Sequence, residues 1–224
     1  MSQPFFIAEL GLNVFPYSRD RLIRLVETAA EAGANAVKVQ LFYADHFPVA
    51  EQKEKIQLEF PRREYDWFLR LAHAYGLQAG ASVFDIDAVF RADEGDFVKL
   101  AAREQGNVEL LKAARALARP IYRSIDRNLS IVPAIGQEQA NETLLACISE
   151  YPTPMDDAIQ IAKAVPEGWG WSSHTAGYED CVAAAKRGVP VIEKHLRLSA
   201  DDPEAGWSLD GFSFARMVHE CSAL

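Results

Sequence analysis

The 224-residue chain has little cysteine, no long apolar run and no excess of positive charge. Cys147, Cys181 and Cys221 are odd in number and widely spaced, with no C-x-x-C pair. That argues against a disulfide framework and for reduced thiols. No stretch approaches the ~20 apolar residues of a membrane span. The opening MSQPFFIAELG has no basic segment before its apolar residues, so a secretory leader is not expected and the protein reads as cytoplasmic. Lys and Arg number 23 against 32 Asp and Glu, a net charge of −9, which disfavours nucleic acid or an anionic membrane as partner. An anionic small molecule is not excluded, because a pocket can be locally positive.

What the chain does have is a rhythm. Apolar runs at 5–10, 36–42, 77–84, 96–102, 120–125, 144–149, 169–173 and 190–196 read as strands. Amphipathic segments lie between most of them. Ser18 caps a helix whose Leu22, Ile23, Leu25, Val26 and Ala29 form one stripe, closed by Gly33. Helices are also expected at 62–76, 107–118, 156–165 and 178–188. Eight strands alternating with helices in this length favour a closed α/β barrel filling residues 1–224 as one domain. The polar stretch 43–60 is expected to be a long loop covering a site. Between 126 and 143 no amphipathic helix is evident, so the fifth βα unit is expected to be shortened or irregular, with 129–135 an extra strand, a hairpin or a packed irregular stretch.

In parallel barrels, functional groups come from the C-terminal strand ends. Strand alternation turns Val37 and Val39 toward the helices and Lys38 and Gln40 into the barrel; the same parity puts Lys99 inside. A buried lysine needs an anionic partner. The two lysines therefore either bind a phosphate or carboxylate, or pair with inward acids such as Glu9, Glu104 or Glu193; the two readings are compatible. His174 in SSHTAG and His195 in EKHL stand one βα unit apart at strand ends. With Glu193 nearby they suit Mn²⁺, Fe²⁺ or Zn²⁺, or they serve as hydrogen-bonding structural residues. His46, His73 and His219 read as bystanders.

FIAELGLN, AGANAVKVQLF, DFVKLAA followed by Glu104, CISEYPTP, SSHTAG and VIEKHLRL occur in an order that resembles the N-acetylneuraminate (sialic acid) synthase family, with its legionaminate-type and spore-coat polysaccharide relatives. The resemblance implies a TIM (β/α)8-type barrel. It also implies condensation of phosphoenolpyruvate with an aldose such as N-acetylmannosamine, giving a 2-keto-3-deoxy sugar acid and phosphate with a divalent metal, commonly Mn²⁺. By that resemblance His174 and His195 match metal ligands, and Lys38 and Lys99 the lysines that hold phosphoenolpyruvate. Ser124 and Ser172 match its hydroxyl contacts, with Gln40 and Ser149 beside them. Glu9 matches an acid near metal and sugar, and Glu104 the acid that handles protons.

Departures concentrate on the sugar side. Asn13 is followed by Val14, Phe15 and Pro16 where the family has N-H-N-G, and Ser173 replaces an aspartate. Ala102 replaces a serine, with Arg103 beside it able to supply a phosphate contact, and Glu204 stands in for the aspartate of D-H-x-x-S. The family's C-terminal antifreeze-like domain has no counterpart in the chain. The expected partners are thus phosphoenolpyruvate and a sugar aldehyde, with a homodimer or another chain completing the acceptor site. A non-catalytic or partner-dependent barrel, or a different lyase or aldolase on the same metal and pyruvyl site, are the competing expectations.

Overall fold

The computed structural model describes residues 3–46, 49–126 and 138–224. Eight strands run in chain order: β1 (Phe5–Glu9), β2 (Ala36–Leu41), β3 (Gln78–Val83), β4 (Phe97–Leu100), β5 (Ile121–Asp126), β6 (Glu142–Cys147), β7 (Gly170–Ser173) and β8 (Val191–Leu196). Each pairs in parallel with the next, and β1 pairs with β8, from Phe5 opposite Val191 to Glu9 opposite His195, so the sheet closes. A two-residue strand, β9 (Ser208–Leu209), adds to β8 near the rim. The expected TIM-type barrel is what forms.

Period-two alternation sorts the strand residues. Phe6, Ala8, Val37, Val39, Ala79, Ala81, Val98 and Ile192 join the main core between sheet and helices. Ile7, Ala36, Phe97, Leu145 and Val191 form a separate apolar plug inside the barrel. The plug is close-fitting: a Cβ on Gly80 would lie 2.5 Å from the Phe97 carbonyl oxygen and 2.6 Å from its ring. Above the plug the interior turns polar, which places the site.

The enclosing helices are α1 (Arg19–Glu31), α3 (Tyr65–Ala74), α4 (Ile86–Ala92), α5 (Val108–Ala116), α6 (Met155–Lys163), α7 (Glu179–Lys186) and α8 (Gly211–Ser222), with α2 (Val49–Lys55) on the loop after β2. Ser18 caps α1 as expected, its Oγ accepting from Arg21 N–H at 3.1 Å. Two helices carried no clear sequence signal: α4, capped by Asp85, and α8, capped by Asp210. The stretch 43–60 departs from its expected loop. It holds α2 flanked by short 3-10 turns, because Ala, Glu, Gln and Lys are strong helix formers; with no residue of α2 buried, there is no apolar stripe to betray it. The reading of 129–135, and with it most of the expected irregularity of the fifth unit, lies outside the described residues. All three cysteines are free and buried. Among the described residues no helix is long and apolar enough to cross a membrane.

One ion cluster sits away from the site. The Glu142 carboxylate, fully buried, accepts from Arg115 and from Arg123 Nη1 at 3.1 Å. Burial pushes its pKa up, but the two guanidiniums outweigh that and hold it below its usual 4.5. A carboxyl depressed by folding contributes stability that is present above its unfolded pKa and lost as pH falls through the folded value. Glu142→Gln is expected to cost about 2 kcal/mol at pH 7 and progressively less below pH 4.5. Urea unfolding at both pH values checks this; an equal cost at both would remove the ionic account.

Candidate functional site

A cavity of about 340 Å³ opens at the C-terminal end of the barrel. Glu9, Lys38, Lys99, Ser124, Ser172 and Glu193 line it, together with Gln40, Arg103, Ser149, His174, His195 and Glu204. Every candidate site residue read from the sequence except one thus lines one space. The exception is Glu104. It ends the 3-10 turn Ala102–Glu104, where its carboxylate accepts from Asn107 Nδ2 at 3.0 Å and faces Arg103 Nε at 3.4 Å. The turn that follows β4 carries Glu104 off the wall, so the structure does not bring it to the other acids.

At the bottom the charges are interlocked. Lys99 Nζ donates to both Glu193 oxygens, at 2.8 and 3.0 Å, and Ser172 Oγ donates to Glu193 Oε1 at 2.9 Å. Lys38 touches Glu9, lies 3.6 Å from Glu193 Oε2 and donates to Ser82 Oγ at 2.7 Å. Of the three acids considered as partners for the lysines, Glu9 and Glu193 fill the role. Burial pushes Glu193 up, yet Lys38 and Lys99 outweigh it and hold the carboxyl below its usual range. Burial, with Lys99 adding, pushes the Lys38 ammonium down to about 7 against the pull of Glu193. Ser124 Oγ is buried on the cavity wall with no hydrogen-bond partner among the described residues, an acceptor and donor left for a ligand.

At the rim stand the imidazoles, with ring centroids 5.7 Å apart. His174 Nδ1 lies 2.8 Å from the Ile148 carbonyl oxygen, and a carbonyl can only accept, so Nδ1 carries the hydrogen. His195 Nδ1 lies 3.0 Å from Glu204 Oε2, which sets the same tautomer. Both Nε2 lone pairs are then left for another partner. Burial, and His195 nearby, push His174 down to about 3, so its ring is neutral. Among the described residues no group of three or more His, Cys, Asp and Glu side chains is gathered to hold a metal ion. The two Nε2 atoms are the nitrogen donors that this rim can offer a cation.

Glu204 is an orienting group. Its Oε2 also accepts from Leu12 N–H at 3.0 Å, its backbone N–H donates to Asn13 Oδ1 at 2.8 Å, and Asn13 Nδ2 donates to Leu196 O and Ser208 Oγ. Asn13 is thereby saturated within the protein and ties the loops after β1 and β8 together. The carboxylate sits against Gly11, whose φ is +46° and on which a Cβ would lie 1.9 Å from Glu204 Oε2. Gly11→Ala is expected to dislodge Glu204, free His195 Nδ1 and cost at least about 1 kcal/mol from the left-handed backbone alone. Loss of the His195 Nδ1 proton signal in NMR, with the barrel still folded, would register it.

Three neighbours escaped sequence reasoning. Ser82 faces inward by the parity that located Lys38 and could have been read from it. Tyr151 packs against His174 with centroids 4.3 Å apart and the rings tilted by 39°, and Trp207 stands edge-on to Tyr151 at 5.4 Å. Neither lies on a strand, so no periodicity marks them. His73 pairs with Asp96 at 2.8 Å and, like the exposed His219, does not line the cavity.

A sequence profile described as the NeuB family matches residues 25–224. The chain is similar to a pseudaminic acid synthase of Campylobacter jejuni, 26% identical over 255 positions that take in 96% of this chain and 71% of that protein. It is also similar to an N,N'-diacetyllegionaminic acid synthase of the same species, 28% identical over 232 positions, 88% of this chain and 69% of that one. The crystal structure of a sialic acid synthetase from Leptospira borgpetersenii superimposes with a TM-score of 0.88 at 25% identity, covering 99% of this chain and 84% of that one.

Proposed function

The chain belongs to the NeuB family, and from that membership and the charge pattern of the cavity we propose that it condenses phosphoenolpyruvate with an N-acylated aldose. C3 of phosphoenolpyruvate bonds to the aldehyde carbon, water adds at C2, and the C2–oxygen bond to phosphate breaks. The products are a 2-keto-3-deoxy sugar acid and inorganic phosphate. The observation that carries the reading is the stacking of two layers in one cavity, buried lysines below and two tautomer-fixed imidazoles above.

Lys38 and Lys99 hold the phosphate and carboxylate of phosphoenolpyruvate, with Ser124, Ser149 and Ser172 adding hydroxyl donors. Gln40 and Arg103 contact it from nearer the mouth, where Arg103 also lies over the Phe84 ring at 4.3 Å. Glu193 keeps the two lysines neutralised until the substrate's charge replaces it. Glu9 and Glu204 are the carboxylates nearest the acceptor side. Glu104, off the wall, is given no proton-transfer role.

His174 and His195 would hold the divalent metal, for which two imidazole nitrogen donors completed by oxygen ligands suit Mn²⁺. When bound, such an ion supplies Lewis acidity to the aldehyde oxygen. The test is direct. Purified protein with Mn²⁺ and phosphoenolpyruvate is expected to release phosphate only when a suitable aldose is added, and chelation is expected to stop it. Silence across a broad panel of N-acylated mannose-type aldoses, with Mn²⁺ shown to be bound, would overturn the reading.

A further inference from the structure

Lys194 is a buried lysine that the cavity does not use. It lies on β8 between Glu193 and His195, is wholly buried, and by strand alternation faces away from both. Its ammonium donates to Ser173 Oγ at 3.0 Å, to the Thr175 carbonyl oxygen at 2.6 Å and to Thr175 Oγ1 at 3.2 Å. These are the two residues that flank His174. The Thr175 hydroxyl in turn has its hydrogen within reach of Asp180 Oδ1 at 3.0 Å and of the Gly177 carbonyl oxygen at 2.9 Å, and Trp171 Nε1 donates to Asp180 Oδ2 at 2.8 Å. Among the described residues no carboxylate is within ion-pair reach of Lys194. The counter-charge of the network is Asp180 on α7, reached through the Thr175 hydroxyl.

A buried ammonium with its carboxylate one hydroxyl away is an expensive arrangement if packing alone were at issue. Its geometric effect is specific. It holds the Ser173 hydroxyl on one side of His174 and the Thr175 carbonyl and hydroxyl on the other, while Thr153 N–H donates to the His174 carbonyl at 2.8 Å. We propose that Lys194, Thr175 and Asp180 are positioning residues for His174, a buried relay from α7 through β8 that fixes its imidazole against Ile148 and aims Nε2 into the cavity. The inference rests on His174 being a metal ligand, and goes beyond it by placing the control of that ligand behind the barrel wall.

Lys194→Met would strand Asp180 in the core, so Asp180→Asn and Thr175→Val carry the test in the full chain. Two quantities are read well below each variant's melting point: the Mn²⁺ dissociation constant, and solvent exchange of the His174 and His195 Nδ1 protons in the metal-free protein. Affinity is expected to weaken about tenfold or more, as for other outer-shell changes. The His174 proton is expected to exchange faster while that of His195, held by Glu204, does not. Ser173→Asp, which places a carboxylate directly beside Lys194, is expected to bring the Asp180→Asn protein back toward wild type. Folded variants with unchanged affinity and an unchanged His174 proton overturn the proposal, as does equal loss of both imidazole signals, which would mark general loosening. A double variant no better than Asp180→Asn overturns the assignment of the counter-charge. If the wild-type protein binds no Mn²⁺, the metal reading falls, and the His174 proton alone still decides the positioning.

Discussion

Glu193→Gln is expected to lower the unfolding free energy by about 3–5 kcal/mol, the usual cost of removing one partner from a buried charge cluster, and inorganic phosphate is expected to return much of that loss. Glu193 is the hinge of the interior charges: it holds Lys99 with two hydrogen bonds, takes a third from Ser172 and faces Lys38 at 3.6 Å. An amide keeps the shape and some hydrogen bonds but leaves two buried ammoniums with Glu9 and the weaker pull of Glu204 to balance them. Lys38, already pushed down by burial and by Lys99, would lose the attraction that opposes that shift. An anion that settles between the lysines binds the folded chain and not the unfolded one, and at a hundred times its dissociation constant it adds about 2.7 kcal/mol. Urea unfolding with and without phosphate, against chloride at equal ionic strength, measures both effects. The wild-type protein should gain less than the variant, because Glu193 competes for the same ammoniums. A cost under 1 kcal/mol, or equal gains from phosphate, would contradict the view of Glu193 as a resident anion.

How far the site could be read from sequence follows from where each residue stands. Lys38, Lys99 and Gln40 were legible because strand alternation is strict, and two valines in AVKVQ decide which face is which. The same rule reached Ser82 and Glu193, although only the second was named, and then as one of several acids. The barrel itself was legible from eight apolar runs separated by helical patterns. Residues on turns were less so. Glu104 owed its proton-handling role to motif alone, and the sharp 3-10 turn after Ala101 that removes it from the cavity depends on the backbone, not on any periodicity. Glu204 was expected to touch the sugar; its bonds to Leu12 and His195 depend on a meeting of the loops after β1 and β8, nearly two hundred residues apart in sequence. Helix α2 escaped because a helix solvated on all sides carries no apolar period. Tyr151 and Trp207 acquire their relation to the histidines only through tertiary packing.

His174→Ala and His195→Ala are each expected to remove Mn²⁺ binding and to reduce phosphate release by about a thousandfold or more, equivalent to about 4 kcal/mol of transition-state stabilisation. With two protein nitrogens at the rim, losing one leaves a single nitrogen donor. Glu204→Gln should be milder. The amide oxygen can still accept from His195 Nδ1 and from Leu12 N–H, so tautomer and loop are kept while the negative charge that strengthens the imidazole as a donor is lost. A ten- to hundredfold weakening of metal affinity is the expected range for such a partner. Manganese EPR titration and phosphate release, run beside urea unfolding, separate these effects from loss of fold. The order of the three variants is the discriminating result. If His195 merely packed beneath Trp207, His195→Ala would cost stability without touching metal affinity, and Glu204→Gln would follow it in stability alone. If His195 is a ligand held by Glu204, both variants lose affinity, the alanine far more, and excess Mn²⁺ recovers activity only in the glutamine variant.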